Sequence, residues 1–437
     1  MPDLVSDPLS PHPRRALLPS HETGPAHRAP APSREATGAR GTFPGPQASV
    51  WSREAHQAPG RRGIPAGRRA RRTHRWWQRR WLAAPAALLV AVVLWTSVSL
   101  GSALAAPGTD TTAARVAEWA RDHYLGGVIT LLEQWQYQLD PPKSGGAPDA
   151  SALEVGSSAT VRTKTARPAT IPSQAGPALP GEGEWRPLYS AKGDTAAMVT
   201  SLRPDAVHTS YVVHAVWLDP KLNSFVLHPG TKEPGPVAGQ SSQLTGQAAG
   251  TVLASFNSGF KMSDAKGGYW QAGHTVAPLQ AGAASMVLGT NGSLKVMTWP
   301  GGDPGEGVAA VRQNLIPLVH DGRVSQEVSD PSAAVWGKTV GNAAAVWRSG
   351  VGTRADGSTV VVLGPSLTVG ALAQILHDAG AVEAMQLDIN KDWTSFITYT
   401  HGSSTPAVPK KLTDDETAAA DRYLQPSSRD FVAVMPR

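Results

Sequence analysis

The side chains able to do chemistry stand at the ends of apolar runs. Asn257 and Gly259 close the run Val252 to Lys261 (VLASFNSGFK). Arg348 sits in Val346 to Gly352 (VWRSGVG), just before the Asp356-Gly357 turn. Asp388 follows the run Val382 to Leu387 and opens the polar loop Ile389-Asn390-Lys391-Asp392. An Asn, an Arg and an Asp, each where a strand gives way to a glycine-rich or polar turn, can converge on one cleft although they are far apart in the chain. Together they offer a carboxylate that activates water or stabilises an oxocarbenium-like centre, a guanidinium that grips phosphate bidentately, and an amide that bonds a sugar hydroxyl or a phosphate oxygen. Asp392, Asp264 and His274 are the weaker candidates for a second acid–base group.

Other chemistries find little support. The chain has no cysteine, which removes disulfides, thiolate nucleophiles and Cys-ligated metals together. The domain histidines (His208, His214, His228, His274, His320, His377 and His401) are scattered, and no nucleotide-binding glycine motif or GxSxG elbow occurs. Ser258-Gly259-Phe260-Lys261 has the SxxK spacing of penicillin-binding enzymes, but the residues after it make a poor helix. The nearest KTG-like triplet is Lys338-Thr339-Val340. Asp388, Asn390 and Asp392 have the spacing of a calcium loop, yet Trp393 replaces the turn glycine and Tyr399 the bidentate Glu. No cofactor is expected and no metal ligand is assigned; a partial divalent-cation site stays open.

Taken in order, these segments resemble the phosphodiester glycosidase family, the family of the mannose-6-phosphate uncovering enzyme, here in a bacterial, membrane-anchored form. The resemblance covers roughly residues 250–400. The family's Asn-Gly-Gly-Phe-Phe-like turn is matched by Asn257-Ser258-Gly259-Phe260, and its Arg-x-Ala-x-Gly-like stretch by Arg348-Ser349-Gly350-Val351-Gly352. Of the closing Leu-Asp-Gly-Gly-Gly-Ser, the chain keeps Leu387-Asp388 and replaces the glycines with Ile389-Asn390-Lys391. The resemblance implies hydrolysis of a sugar-phosphate diester, with Asp388 and Arg348 catalytic and Asn257, Gly259, Gly352 and Asn390 against a carbohydrate or sugar-phosphate substrate. Because glycines let a backbone approach a ligand closely, their loss makes a non-catalytic polysaccharide-binding module on the same fold the alternative.

Positioning these residues falls to short β-branched runs between turn signals: Tyr211 to Trp217, Ser224 to Leu227, Val252 to Phe256, Ala284 to Leu288, Leu294 to Trp299, Thr359 to Leu363, Val382 to Leu387 and Phe431 to Met435. Asn291-Gly292, Asp321-Gly322 and Asp356-Gly357 mark hairpins. One helix is expected from Val369 to Ala379 after Thr368. A second is expected after Thr413, where Glu416 completes a capping box. The fold class is α+β: a strand-rich mixed-sheet domain with a few flanking helices and no repeated βα alternation. Seven tryptophans lie from Trp185 onward; Trp270 and Trp393, beside the motifs, offer sugar-stacking faces.

The rest of the chain is organised around a membrane. Residues 1–80 hold 15 Arg, no Lys and 5 acids, a net of +10, so the remainder carries 6 − 10 = −4. The basic charge belongs to a Pro- and Arg-rich tail expected to be disordered, and that split argues against a nucleic-acid partner. An arginine-rich run, Arg68 to Arg80, precedes the uncharged stretch Leu82 to Leu104, which as a helix at about 1.5 Å per residue spans roughly 34 Å, enough for a bilayer core. Arginines on one flank and Trp76, Trp77 and Trp81 at the border put the N-terminus in the cytoplasm and the C-terminal part outside. Ala103-Leu104-Ala105 also has the form of a signal cleavage site. The expected order is a cytoplasmic tail (1–80), a transmembrane helix (81–106), a broken amphipathic juxtamembrane helix (107–139), a linker (140–184) and an extracytoplasmic domain (185–437).

Overall fold

β-Branched runs between turn residues assemble here into three antiparallel sheets. The computed structural model describes residues 73–139, 141–157, 161–329, 333–337, 345–402 and 407–437. Most of the expected disordered tail and the triplet Lys338-Thr339-Val340 lie outside these residues, as do the side chains of Trp76, Trp77 and Trp81.

Strands are numbered in chain order. The largest sheet has eight, in the spatial order β1 (Arg186–Ala191), β2 (Asp194–Leu202), β3 (Val213–Leu218), β14 (Thr359–Leu367), β13 (Val346–Arg354), β15 (Ala381–Gln386), β11 (Pro317–His320) and β12 (Arg323–Val324). A second sheet runs β7 (His274–Ala277), β6 (Tyr269–Gln271), β10 (Val308–Gln313), β8 (Ala284–Gly289) and β9 (Leu294–Thr298). The third runs β17 (Val408–Lys411), β16 (Phe396–Thr400), β5 (Ala254–Asn257), β18 (Phe431–Pro436) and β4 (Asn223–His228). The strand-rich α+β class is therefore as expected. All three turn dipeptides close hairpins: Asn291-Gly292 joins β8 to β9, Asp321-Gly322 joins β11 to β12, and Asp356-Gly357 joins β13 to β14.

The core lies on both faces of the large sheet. Along β14, Val361 and Leu363 face one apolar cluster shared with the smaller sheets through Phe256, Phe396 and Met286. Val360 and Val362 face the other cluster, with Leu372, Ile375 and Leu376. A strand buried on both faces reads as a continuous apolar run, which is why this one is legible without alternation. The last three leucine and isoleucine side chains belong to helix α7 (Val369–Asp378), started by Thr368, whose hydroxyl accepts from Ala371 N at 3.0 Å. Gly350 lets that helix approach: a Cβ there would lie 2.9 Å from Leu376 Cδ1 and 3.2 Å from Leu372 Cδ1.

Before the sheets come α1 (Thr73–Leu104), α2 (Thr112–Asp122) and α3 (Gly126–Leu139). The 22 residues Ala83–Leu104 of α1 are long and apolar enough to cross a bilayer. The two helices part at His123 to Leu125, where Tyr124 takes a φ of 63°, and not at Gly126-Gly127, the glycine pair at which the sequence suggests an interruption and which instead opens α3. Short helices α4 (Gly246–Thr251), α5 (Met262–Ala265) and α6 (Ala333–Trp336) connect strands.

Two segments depart from simple readings of composition. The described residues of 141–184 carry little regular structure, yet several pack on the large sheet: Ile171 is buried, Gly183 N donates to Ser201 O, and Glu182 is paired with Arg203 at 2.8 Å. No helix follows Thr413. Glu416 does reach back to Thr413 N, but it is buried and also accepts from Leu412 N and Phe396 N, serving strand ends rather than a helix. Beyond it, Tyr423 is drawn into the core against Phe431, with ring centroids 4.1 Å apart, so the segment runs as turns.

Candidate active site

The expected site segments meet where the large sheet and the third sheet abut. Ser349 N donates to Asp388 O at 3.0 Å and Leu387 N to Ser349 O at 2.8 Å, which extends the β13–β15 ladder one step past the end of β15. Asp388 N donates to Ser258 O at 3.2 Å, and Ser258 N to Asp430 O at 3.2 Å. Four chain segments, at residues 257–258, 348–349, 388 and 429–430, are thus stitched together through their backbones.

Asn257 completes the stitching. Its side-chain nitrogen donates to Ser349 Oγ at 2.9 Å and to Ser258 O at 3.0 Å, and its oxygen accepts from Ser395 N at 3.0 Å. Every polar atom of the amide is spent on the scaffold. Gly259 is required because Arg312 and Asn314 lie over it: a Cβ would sit 3.0 Å from Arg312 Cζ. Gly352 lies within the sheet, where a Cβ would meet that of Ala381 at 2.7 Å.

Asp388 is 5% exposed. Its Oδ1 accepts from Asn390 N at 2.9 Å, while Asn390 Oδ1 accepts from Asp392 N at 2.9 Å, two linked turns that aim the loop. Burial pushes the Asp388 carboxyl above its ordinary value, and nearby Asp430 adds to this. Arg429 and the backbone N–H groups of Asn390 and Ile389 pull the other way without cancelling it. A carboxyl perturbed by desolvation beside a specific cation is what an acid–base or charge-stabilising group needs.

Arg348, the cation expected to bind phosphate, is 2% exposed. It donates from Nε to Leu367 O at 2.9 Å and from Nη1 to Gln386 Oε1 at 3.1 Å, and burial lowers its pKa to about 10. These contacts tie β13 to β14 and β15. Of the weaker candidates, Asp264 and His274 are exposed, the latter on β7 of the second sheet. Asp392 shares the loop of Asp388 and is likewise shifted up by burial. Trp393 is buried against two guanidiniums, those of Arg429 at 4.7 Å and Arg422 at 5.6 Å, instead of presenting a face to a sugar. Lys261 of the SxxK spacing reaches Glu118 at 3.4 Å and Asp122 at 3.7 Å on α2.

Sequence reasoning missed Arg429, Asp430 and Arg312. Asp430 accepts from Arg312 Nε at 2.7 Å with both side chains fully buried. Arg429 contributes charge to Asp388 and is itself held more basic than usual: burial opposes this, but Asp388, Glu118 and Glu233 outweigh it. The signal was present, since Ser427-Ser428-Arg429-Asp430 is a polar quartet directly before the last apolar strand, the same border at which Asn257 and Asp388 stand.

Among the described residues, His320, Asp321 and Glu383 form a group spaced to hold a metal ion. It lies at the opposite end of β15 from Asp388 and is half exposed; His320 is held more basic by its bond to Glu383, the pattern of an ordinary ion pair.

Residues 246–388 match the family model for phosphodiester glycosidase, a stretch that opens with α4 and ends on Asp388. This segment is a phosphodiester glycosidase family domain, as the motifs at Asn257, Arg348 and Asp388 imply. Among solved structures the chain is similar to the zebrafish N-acetylglucosamine-1-phosphodiester alpha-N-acetylglucosaminidase catalytic domain auto-inhibited by pro-peptide (14% identity, 58% of this chain and 88% of that chain, TM-score 0.37). It is also similar to a hypothetical protein from Synechocystis (12%, 58% and 64%, TM-score 0.32) and to a putative exported protein from Burkholderia pseudomallei (14%, 56% and 75%, TM-score 0.32). A comparison with curated proteins gives no match.

Proposed function

We propose that this protein is a membrane-anchored, extracytoplasmic hydrolase that cleaves a sugar-phosphate diester of envelope glycopolymers. The observation that carries the reading is the buried Asp388 carboxyl, shifted up by desolvation beside Arg429, at the end of the segment that matches the glycosidase family. In the reaction the bond between the sugar anomeric carbon and the phosphate-ester oxygen breaks, and its electron pair leaves with the phosphate monoester. Water supplies the new hydroxyl at that carbon and gives up one proton. Asp388 offsets the positive charge developing on the sugar and takes up the water proton. Arg348, Asn257 and Asn390 act as positioning residues that hold the strand ends and the loop around Asp388, and Gly259 and Gly352 permit the packing that this requires. The apolar α1, followed by a domain whose charge is net acidic, supports an anchor with the arginine-rich end in the cytoplasm.

One observation favours the binding-module reading. Ile389, where the family has glycine, packs against the core cluster under α7, so the loop after Asp388 does not offer open backbone to a ligand. The two readings separate in one experiment: full-length protein in detergent micelles against a panel of sugar-1-phosphate diesters, wild type beside Asp388→Asn. The hydrolase reading expects turnover that falls by about 10²–10⁴-fold in the variant. Polysaccharide binding with no turnover by the wild type supports the module.

A further inference from the structure

Helix α2 folds back along the outer end of α1. Arg115 Nη1 donates to Leu104 O at 2.7 Å, Trp119 Nε1 donates to Ser99 Oγ at 2.9 Å, and the His123 ring centroid lies 5.3 Å from that of Trp95. As residue numbers rise along α2, those of the partners on α1 fall, so the two helices run antiparallel. His123, just past the end of α2, is therefore level with Trp95, which stands 104 − 95 = 9 residues before the end of α1. At about 1.5 Å per residue that is roughly 13 Å back along the helix. This level lies inside the apolar stretch Ala83–Leu104, beside its more polar outer turns, which carry Thr96, Ser97, Ser99 and Ser102.

Helix α3 starts from that level, three residues on at Gly126, and carries a bare apolar stripe. Val128, Leu131, Leu132, Trp135 and Leu139 are each between 52% and 84% exposed. Their spacing puts them on one helix face, within an arc of about 100°. Thr130, Glu133, Gln134 and Tyr137 take positions on the other side. Five large apolar side chains left open on consecutive turns form a patch of the kind that marks an interaction surface. Leu94, Trp95 and Val98 of α1, at the level where α3 begins, are equally bare. One solvent, the bilayer that α1 crosses, covers both sets. Trp95, Trp135 and the exposed Tyr124 supply the aromatic rings that favour the headgroup level.

We propose that α3 lies in the plane of the membrane on its outer face, with Val128, Leu131, Leu132, Trp135 and Leu139 sunk at the boundary between headgroups and acyl chains. The inference rests on the reading of α1 as a membrane anchor and goes beyond it, because it gives the domain a second hold on the bilayer. Trp119 ties α2 to α1, and Glu118 ties α2 to Arg429 of the domain at 2.8 Å. The two holds together fix the height of the domain above the membrane as well as attaching it. Among its 14 residues α3 has no Lys or Arg and one charged residue, Glu133. Insertion draws on apolar burial and not on anionic headgroups, so a neutral bilayer is enough.

The chain has no cysteine, so a nitroxide can be attached at one chosen position of the full-length protein. Leu132→Cys, Leu139→Cys and Thr130→Cys in α3, and Val90→Cys in α1, are labelled and reconstituted in phosphatidylcholine vesicles. Collision of the nitroxide with oxygen, which concentrates in lipid, is compared with its collision with a water-soluble nickel chelate. Oxygen dominates at positions 132 and 139 and the chelate at position 130, a reversal of the ratio across one helix. Chelate dominance at 132 or 139 overturns the proposal, as does oxygen dominance at all three positions, which would put the whole helix among the acyl chains. Protection of 132 and 139 from both reagents also overturns it, since that marks cover by protein, a second copy of the chain included. If Leu132→Cys does not fold, Leu139→Cys, at the most exposed of the five positions, decides the matter. Position 90 separates this inference from the anchor reading: oxygen dominance there with chelate dominance in α3 leaves the anchor standing and refutes the in-plane helix, and the opposite pattern refutes the anchor and leaves α3 on lipid.

Discussion

Glu118 and Arg429 are 311 residues apart in the chain and 2.8 Å apart in space. The contact joins the helix that follows the apolar α1 to the residue just before the last strand of the third sheet. Glu118 of α2 thereby stands beside Arg429, whose charge acts on Asp388, so whatever moves α2 also changes the charge around Asp388.

The pH dependence of turnover follows from the burial of Asp388. Its folded carboxyl lies above the ordinary value of 3.8, and the reaction needs it ionised, so kcat/KM rises with pH along an acid limb placed above 3.8. A pH–rate profile of the wild type checks this; a limb at or below the ordinary aspartate value contradicts it.

Arg312 and Asp430 form a fully buried ion pair under the site. Arg312→Met leaves an uncompensated buried carboxylate and is expected to cost about 3–5 kcal/mol, whereas replacing both partners with apolar residues recovers much of that loss. Denaturant unfolding of the single and double variants measures the difference.

Residues 161–184 are expected to behave as part of the folded domain. Gly183 has a φ of +78°, and a Cβ there would lie 2.0 Å from the Ile171 carbonyl oxygen. Gly183→Ala therefore strains the backbone and pushes this segment off the sheet, lowering stability by about 2 kcal/mol or more. An unchanged melting temperature would show that the segment contributes nothing.

The same segment supplies a pH-sensitive contact. Burial opposes ionisation of Glu182, but hydrogen bonds from Arg203 and from the backbone of Leu179 and Arg203 hold its folded pKa below 4.5. A depressed carboxyl stabilises the fold above its unfolded pKa, and that contribution is lost as pH falls through the lower folded value. Glu182→Gln should destabilise the protein at neutral pH by about 3 kcal/mol, with the gap to wild type narrowing only below pH 4.5. A gap that persists unchanged into that acid range would contradict the assignment.

Much of the frame was legible in the sequence because local rules and burial agree. The apolar runs at 284–288, 359–363 and 431–435 are strands, the three Gly-containing dipeptides are hairpins, and Thr368 starts a helix that Gly380 ends. The border rule that singled out Asn257 and Asp388 brought two of the meeting segments together. It does not rank the cations, because nothing local distinguishes a guanidinium that braces strands, as Arg348 does at Leu367 and Gln386, from one such as Arg429, whose Nε and Nη1 find no acceptor among the described residues. The helix expected after Thr413 failed for a related reason: Glu416 satisfies the local capping pattern while its carboxylate serves the strand ends at Phe396 and Leu412. Long-range hydrogen bonds decided both cases, and spacing along the chain does not reveal them.

The most direct test of the hydrolase reading asks which bond breaks. Full-length protein cleaving a sugar-1-phosphate diester in water enriched in heavy oxygen is predicted to place the label on the anomeric hydroxyl of the released sugar, with none in the phosphate monoester and with turnover lost in Asp388→Asn. Label in the phosphate would mean attack at phosphorus and would contradict glycosidase chemistry at Asp388.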